Sequence, residues 1–173
     1  AHDPFRGMHI SPDDVATLLG RQPGEPLFGL GDGFSEKDDF KQLSEEFPRL
    51  AWFADEFGLS GFDLDVLLIA LAPEVDLRYE RLYAYLQDDV TRRRPSVDLA
   101  LNLLCSTLEE KIMRRDHFSS SGILVHQGLL HVIPETNQSQ PPLLAHCLKL
   151  DDQVVRFLLG QNGLDTRLIP FCN

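Results

Sequence analysis

The chain has 173 residues, and its 43% apolar and 25% charged composition is typical of a globular protein with one domain. Sixteen lysines and arginines stand against twenty-seven aspartates and glutamates, which leaves a net charge of −11. Because this charge repels a nucleic-acid duplex at long range, nucleic acid is disfavoured as a partner.

The first 34 residues predict a short helix and a loop. Ser11 is a suitable N-cap, Pro12 stands at the first helical position, and Gly20 ends the apolar pattern. The glycines and prolines of residues 21–34 then oppose regular structure. Residues 1–34 are therefore predicted to be an N-terminal segment separate from the domain that follows.

Residues 35–173 are predicted to form that domain. Apolar residues at helical spacing predict helices over residues 35–57, 60–72, 76–88, 96–105 and 107–117. Ser60 with Asp63, and Ser106 with Glu109, are predicted to form N-terminal caps. From residue 66 to residue 72 the second helix is apolar on every side, so it is predicted to be the buried centre of the domain.

The period of the apolar pattern changes after residue 118. Three β-prone runs predict wing strands over residues 123–126, 129–133 and 144–150, and the first two are separated by Gln127 and Gly128, as in a tight hairpin. A closing helix is predicted over residues 151–160. The predicted fold class is mainly α with a small antiparallel β-sheet (α+β), a winged-helix variant with additional N-terminal helices.

Residues 89–104, DVTRRRPSVDLALNLL, contain a turn and a helix that a DNA-binding protein would place in the major groove. On this helix the polar stripe consists of Asp98 and Asn102, and no lysine or arginine is present. A major-groove reader needs Arg, Lys, Asn or Gln on an exposed face. The helix is therefore predicted to be covered by polypeptide.

The three consecutive arginines of the turn, Arg92, Arg93 and Arg94, are surrounded by carboxylates. Phosphate contacts from these arginines would position a protein on a duplex without reading its sequence. We interpret them instead as pairing locally with carboxylates or covering the turn. The stretch thus has the turn and helix of a DNA-binding segment but lacks the side chains that contact bases.

Three cysteines, Cys105, Cys147 and Cys172, stand far apart and form no C-x-x-C pair. This pattern indicates neither a disulfide framework nor a zinc site, and it fits a cytoplasmic protein. No run approaches 18 apolar residues, and AHDPFRGMHI lacks the order of a signal peptide, so no membrane partner is expected. The missing initiator methionine and the apolar end RLIPFCN favour a piece of a longer protein.

No catalytic, cofactor-binding or metal-binding residue is predicted. The six histidines match no zinc-ligand spacing, although His126, His131 and His146 all fall in the predicted wing. GLGDGF at residues 29–34 fits no phosphate-binding motif and is interpreted as a loop. Neighbouring carboxylates such as Asp63 and Asp65 point apart on a helix and usually lie in solvent.

The segment FGLSGFDLDVLLIALAPEVDLRYERLYAYLQDDVTRRRPSVDLALNLLC resembles the region that precedes the ATPase module in a group of prokaryotic AAA-type ATPases, including those of contractile injection systems. The specific part is ALAPEVDLRYERLYAYLQDDVTRRRPSVDLAL, and LLHVI, PPLLAHCLKLDDQVVRFLLG and GLDTRLIPF follow in the same order. The resemblance covers roughly residues 47–171 and implies a variant winged-helix domain. It also implies that ATP and Mg²⁺ bind in a parent ATPase beyond residue 173, because no Walker A pattern is present here.

The favoured function is a non-catalytic accessory domain of such an ATPase. Its expected partners are the ATPase domain of its own chain, a neighbouring subunit, or a protein substrate or adaptor. The predicted contact residues, chosen because turns and wings project from a fold, are Arg92, Arg93, Arg94, Asp98, Asn102, His126, Gln127 and His131. The alternatives are a DNA-binding winged-helix module of a regulator and a small enzyme built around the histidines.

Overall fold

The computed structural model describes residues 46–135 and 140–161. The elements are α1 (Pro48–Phe57), α2 (Gly61–Val75), α3 (Arg78–Leu86), α4 (Val97–Leu104), α5 (Leu108–Arg114), a 3₁₀ turn (Arg115–Phe118), α6 (Ile123–His126), β1 (Leu130–Ile133), a 3₁₀ turn (Leu143–Ala145), β2 (Cys147–Leu150) and α7 (Asp152–Leu158). The predicted fold class, mainly α with a small antiparallel sheet, is confirmed. The predicted helix near residues 11–20 and most of the segment 35–47 lie outside the described residues.

Helix α2 is the buried centre of the domain, as predicted. Its N-terminus carries the predicted capping box, in which Ser60 Oγ accepts from the Asp63 amide at 3.3 Å and Asp63 Oδ2 accepts from the Ser60 amide at 3.0 Å. Leu64, Val66 and Leu67 are fully buried. Burial of each such side chain contributes about 1.5–3 kcal/mol, and α2 packs chiefly against α3, α4 and β2.

The helix-turn-helix unit consists of α4 and α5, which are joined by the three residues 105–107. The prediction that residues 96–105 form its second helix is wrong, because the ten residues 87–96 separate α3 from α4. The side chain of Gln87 orders this long connection. Its Nε2 atom donates to the carbonyls of Arg92 (3.1 Å) and Arg94 (3.0 Å), and its Oε1 atom accepts from the Ser96 amide (3.2 Å).

The N-terminal cap of α5 lies one residue later than predicted. Thr107 Oγ1 accepts from the Glu110 amide at 3.2 Å, and Glu110 Oε2 accepts from the Ser106 amide at 2.9 Å. The predicted pair of Ser106 and Glu109 is therefore wrong. Ser106 and Thr107 are adjacent, and so are Glu109 and Glu110. A hydroxyl residue therefore precedes a glutamate by three positions in two registers, and the sequence alone does not choose between them.

The sheet has two antiparallel strands among the described residues, with Leu130 opposite Leu150 and Ile133 opposite Cys147. An isolated bridge between Ser96 and Cys147 adds a single residue pair at the edge of β2. The predicted strand 144–150 is thus confined to residues 147–150, because a 3₁₀ turn follows the proline pair of residues 141–142.

The prediction of a strand over residues 123–126 is wrong, and so is the hairpin at Gln127 and Gly128. These residues form α6, in which the Gly122 carbonyl accepts from the His126 amide at 2.7 Å. Leu124 is buried, so the single helical turn is held by the core rather than by its β-branched residues. Gly128, at φ +70°, then leads the chain into β1.

Helix α7 closes the domain against α1. The Phe157 ring lies 5.1 Å from the Trp52 ring and 5.9 Å from the Phe53 ring, centroid to centroid, and Arg49 Nη1 donates to the Phe157 carbonyl at 3.1 Å.

No helix of the described segments is long and apolar enough to cross a membrane.

Candidate interaction surface

Helix α4 is covered by its own domain, as the absence of cations on it predicts. Val97, Leu99 and Leu101 are buried, and the helix packs against α2, α5 and the 3₁₀ turn of residues 143–145. Asn102, predicted to belong to an exposed polar stripe, is also buried. Little of this helix is therefore available to a nucleic-acid groove or to a partner protein.

Asp98 and Asn102 are joined to α5 by a lysine. Lys111 Nζ donates to Asp98 Oδ1 at 2.9 Å and to Asn102 Oδ1 at 2.8 Å, while Asn102 Nδ2 donates to Asp98 Oδ2 at 2.9 Å. These bonds satisfy the polar atoms of Asn102 inside the fold. Two of the predicted contact residues thus hold two helices together.

The three arginines of the turn do not form a common cationic surface. Arg92 Nη2 lies 2.7 Å from Glu135 Oε2, and Arg94 Nη1 lies 3.5 Å from Glu74 Oε1, so two of them pair with carboxylates as predicted. Arg93 is exposed and forms no ion pair with another described residue. The Arg92 pair ties the turn to the residues that follow β1, where the wing begins.

The predicted wing residues lie on a different part of the fold. His126 and Gln127 are exposed at the end of α6, and His131 on β1 lies 3.3 Å from Asp151 through its Nε2 atom. Within the described residues, none of the three is bonded to the arginines of the turn or to Asp98. The eight predicted contact residues therefore fall into several separate groups.

Helix α5 presents the apolar surface that the sequence analysis missed. None of its residues is buried, and Ile112 and Met113 are 63% and 69% exposed, with Leu108 one turn earlier on the same side. We call the residues Leu108, Ile112 and Met113 the α5 face. Their apolar side chains occupy the second helix of the helix-turn-helix unit, the position from which DNA-binding members of this architecture read bases.

The cations of α5 are directed back into the fold. Lys111 bonds to α4, and the Arg114 guanidinium lies 4.9 Å from the centroid of the Phe62 ring and 4.0 Å from Glu110. Arg115, in the 3₁₀ turn that follows, is exposed. Glu109 and Asp116 are also exposed beside the α5 face. The exposed side of α5 itself therefore offers apolar and acidic side chains, and Arg115 is the exposed cation that follows it.

A buried carboxylate, Asp63, connects the start of α2 to the end of the helix-turn-helix unit. Its Oδ1 atom accepts from His117 Nδ1 at 2.8 Å, and its Oδ2 atom accepts from Ser60. The expectation that Asp63 lies in solvent is wrong, because its capping role directs the carboxylate inward. Fifty-four residues separate the pair, so sequence spacing gave no signal of it.

A shallow cleft of about 180 Å³ opens beside this pair and is lined by Asp63, Asp116, His117, Gly122 and Ile123. Elsewhere, burial raises the pKa of the Cys105 thiol to about 11 and also raises the pKa of the Cys147 thiol. Both thiols are thereby kept protonated and poorly nucleophilic near neutral pH. No group of three or more potential metal ligands occurs among the described residues.

The comparisons with known proteins give one match. A family model described as "Winged helix domain, variant" matches residues 40–172. Searches of the curated proteins and of the solved structures gave no match. The matched residues include every helix and strand described above.

Proposed function

Because the chain belongs to the variant winged-helix domain family, we propose that it is a non-catalytic domain that binds polypeptide through the α5 face. The observation that carries this proposal is the exposure of Ile112 and Met113 on a helix whose lysine is bonded inside the fold. An apolar patch bordered by charged residues suits a protein partner, since transfer of these side chains out of water favours association.

We further propose that the domain precedes the ATPase module of a prokaryotic AAA-type ATPase in the cytoplasm. The support is the sequence resemblance over roughly residues 47–171. In this arrangement ATP and Mg²⁺ bind in the ATPase module and none of the residues described here is catalytic. The polypeptide bound by the α5 face is then that module, a neighbouring subunit, or a protein substrate or adaptor.

The second candidate function is duplex binding by a transcriptional regulator. Arg93 and Arg115 favour it, since both are exposed and unpaired among the described residues. Two such cations would support weak, salt-sensitive phosphate contacts. We rank this function second because the net charge is −11 and the α5 face carries no base-reading side chain.

Site-specific photo-cross-linking in the full-length parent protein tests the first proposal. Benzoylphenylalanine at position 112 or 113 should form a covalent adduct with the ATPase module or with a protein bound to the assembly. The same group at Asp152, an exposed position on α7, is the matched control and should give little adduct. Equal cross-linking at positions 112 and 152 would contradict the assignment of the α5 face.

Substitution shows whether the same face is needed for folding. Ile112→Asp and Met113→Asp should change the free energy of unfolding by no more than about 0.5 kcal/mol, because both side chains are exposed. Leu101→Ala, in the fully buried part of α4, should cost about 2–5 kcal/mol. With benzoylphenylalanine at position 113, loss of the cross-linked partner in a folded Ile112→Asp variant would then report lost binding rather than lost structure.

A further inference from the structure

The outer edge of strand β1 has main-chain groups that the fold leaves without hydrogen bonds. The Asp151 amide donates to the Leu129 carbonyl at 3.0 Å, and the register continues with Leu130 opposite Leu150. Because alternate residues of an antiparallel strand bond to its neighbour, the amides and carbonyls of Leu130 and Val132 point away from β2. Among the described residues, no hydrogen bond reaches these four groups. We call them the β1 edge.

The opposite side of the sheet is closed by the fold. Residues 95–97 run along β2 on the side away from β1, where the Leu148 amide donates to the Pro95 carbonyl at 2.8 Å. The Ser96 amide, which faces outward from there, donates to Gln87 Oε1 at 3.2 Å. A side chain therefore covers that side of the sheet, whereas the β1 edge stays open.

The β1 edge lacks the features that usually prevent a further strand from pairing. Open edges in proteins commonly carry charged side chains or lie under a helix or loop. Residues 117–134 contain no Asp, Glu, Lys or Arg, although the chain has a net charge of −11. His131 and Ile133 are exposed, and a Cβ atom added to Gly128, just before the strand, would meet no atom within 4 Å. A partner segment can therefore approach the edge without meeting a fixed charge from these residues.

We propose that the β1 edge binds an extended segment of a partner protein as a further antiparallel strand of the sheet. Two amides and two carbonyls at strand spacing are complementary to the main chain of such a segment, which supplies the hydrogen bonds that β1 lacks. The antiparallel direction continues the pairing of the described sheet and is the more stable one per residue. Pro134 has no amide hydrogen, so the edge ends there. The inference is independent of the α5 face, which is proposed to bind through its side chains.

The burial of β1 indicates which side chains the partner segment needs. Residues directly opposite each other in an antiparallel pair project from the same face of the sheet. Leu130 is buried and Val132 is partly buried, so we expect apolar residues opposite both. His131, between them, is exposed on the other face, so we expect a polar residue opposite it. The segment should thus alternate apolar and polar residues and contain no proline at the paired positions.

An NMR titration of the isotope-labelled complete chain with a capped peptide of alternating threonine and valine, Thr-Val-Thr-Val-Thr, tests the proposal. The amide resonances of Leu130 and Val132 should shift most and should saturate. The same peptide with both valine nitrogens methylated is the matched control, and it should bind at least about tenfold more weakly because it lacks the two donors that meet the edge. No saturable shift at the β1 edge, or equal binding of the methylated peptide, would overturn the proposal.

Two variants of the chain separate main-chain binding from side-chain binding. Val132→Pro removes one edge amide and should weaken peptide binding at least about tenfold. His131→Gln changes an exposed side chain of the same strand and leaves the edge intact, so its affinity for the peptide should be unchanged. Loss of binding in His131→Gln with none in Val132→Pro would mean that side chains carry the binding, which contradicts an added strand.

The stability of two proline variants tests which amides of β1 are free. The His131 amide bonds to β2, whereas the Val132 amide does not. His131→Pro should therefore lower the urea midpoint more than Val132→Pro, although Val132 is the more buried of the two side chains. An equal loss, or a larger loss in Val132→Pro, would show that the Val132 amide is not free and would overturn the proposal.

Hydrogen exchange shows whether the edge is already occupied. In the chain alone, the amides of Leu130 and Val132 should exchange faster than those of His131 and Ile133, which bond to β2. They should become protected when the threonine and valine peptide is added. Protection of both amides in the chain alone would show that a second copy or another part of the chain covers the edge, and would overturn the proposal.

Discussion

The ammonium group of Lys111 lies 2.9 Å from the carboxylate of Asp98, so a cation of the second helix is held against the first. The same group donates to Asn102, which is buried. Because only 11% of the Lys111 side chain is exposed, this charge stabilises the helix pair and contributes little to the outer surface. This contact distinguishes the unit from a helix-turn-helix unit whose second helix binds phosphates.

Removal of this lysine should destabilise the fold. Lys111→Ala leaves Asn102 Oδ1 and Asp98 Oδ1 without their donor, and we expect a loss of about 1–3 kcal/mol in the free energy of unfolding. Arg115→Ala, which removes an exposed cation from the next turn, should change it by less than about 0.5 kcal/mol. Urea denaturation of both variants measures the difference, and equal stabilities would refute the structural role of Lys111.

The Asp63 and His117 pair should show strong energetic coupling. His117→Ala removes a donor from a buried carboxylate and should cost about 1–3 kcal/mol, and Asp63→Ala also removes the cap of α2 and should cost about 2–4 kcal/mol. The double variant should cost less than the two losses together, with a coupling energy of about 0.5–3 kcal/mol. Asp116→Ala, an exposed neighbour, is the control, and strictly additive losses would argue against the contact.

Two glycines should respond differently to asparagine. A Cβ atom at Gly122 would lie 2.0 Å from the His117 carbonyl oxygen, so alanine and asparagine should both cost at least about 1–3 kcal/mol there. Gly128 has open space around it but a φ of +70°, so alanine should cost about 1–2 kcal/mol, and asparagine, which tolerates this conformation, should cost less. Thermal or urea denaturation of the four variants checks this pattern, and tolerance of alanine at Gly122 would contradict it.

The stability of the domain should fall at alkaline pH. Burial, with a smaller contribution from Tyr79, raises the pKa of Tyr83 to about 12, whereas the unfolded value is about 10. The unfolded chain therefore loses this proton first, and the stability that Tyr83 contributes is complete below pH of about 10 and is lost as the pH rises toward about 12.

The variant Tyr83→Phe isolates this effect. It should be less stable at neutral pH by about 0.5–1.5 kcal/mol, because the bond to the Ile69 carbonyl is lost. Its stability should then decline less steeply above pH of about 10. Cys105, whose pKa burial raises to about 11, is present in both proteins and affects both curves alike. Parallel curves for the two proteins would show that Tyr83 does not titrate as described.

Local signals in the sequence identified the parts of the fold that depend on local interactions. The cap formed by Ser60 and Asp63 and the all-round apolar stretch of α2 were predictable, since a hydroxyl, a carboxylate three residues later and an uninterrupted apolar run act within a few turns. The absence of cations on α4 likewise indicated that polypeptide covers that helix. In the structure, other elements of the same domain cover α4.

Features that depend on tertiary contacts were not predictable from spacing. The run ILVH at residues 123–126 has strand-forming residues, and only the burial of Leu124 selects a helical turn. Nothing in the sequence indicates that the Gln87 side chain orders the ten-residue connection between α3 and α4. The helix-turn-helix unit was therefore predicted to end with α4, whereas it consists of α4 and α5. The α5 face was missed for the same reason, because apolar residues at helical spacing usually face the core.

The most direct test of the account is the binding of a fluorescent duplex of random sequence, measured by anisotropy at low salt. An apolar α5 face in a chain of net charge −11 predicts no saturable binding by the unaltered chain. Binding should appear only when cations are introduced on this face, as in Ile112→Lys/Met113→Arg. Saturable binding by the unaltered chain that weakens as salt rises, and that disappears in Arg93→Ala/Arg115→Ala, would show that the helix-turn-helix unit serves nucleic acid.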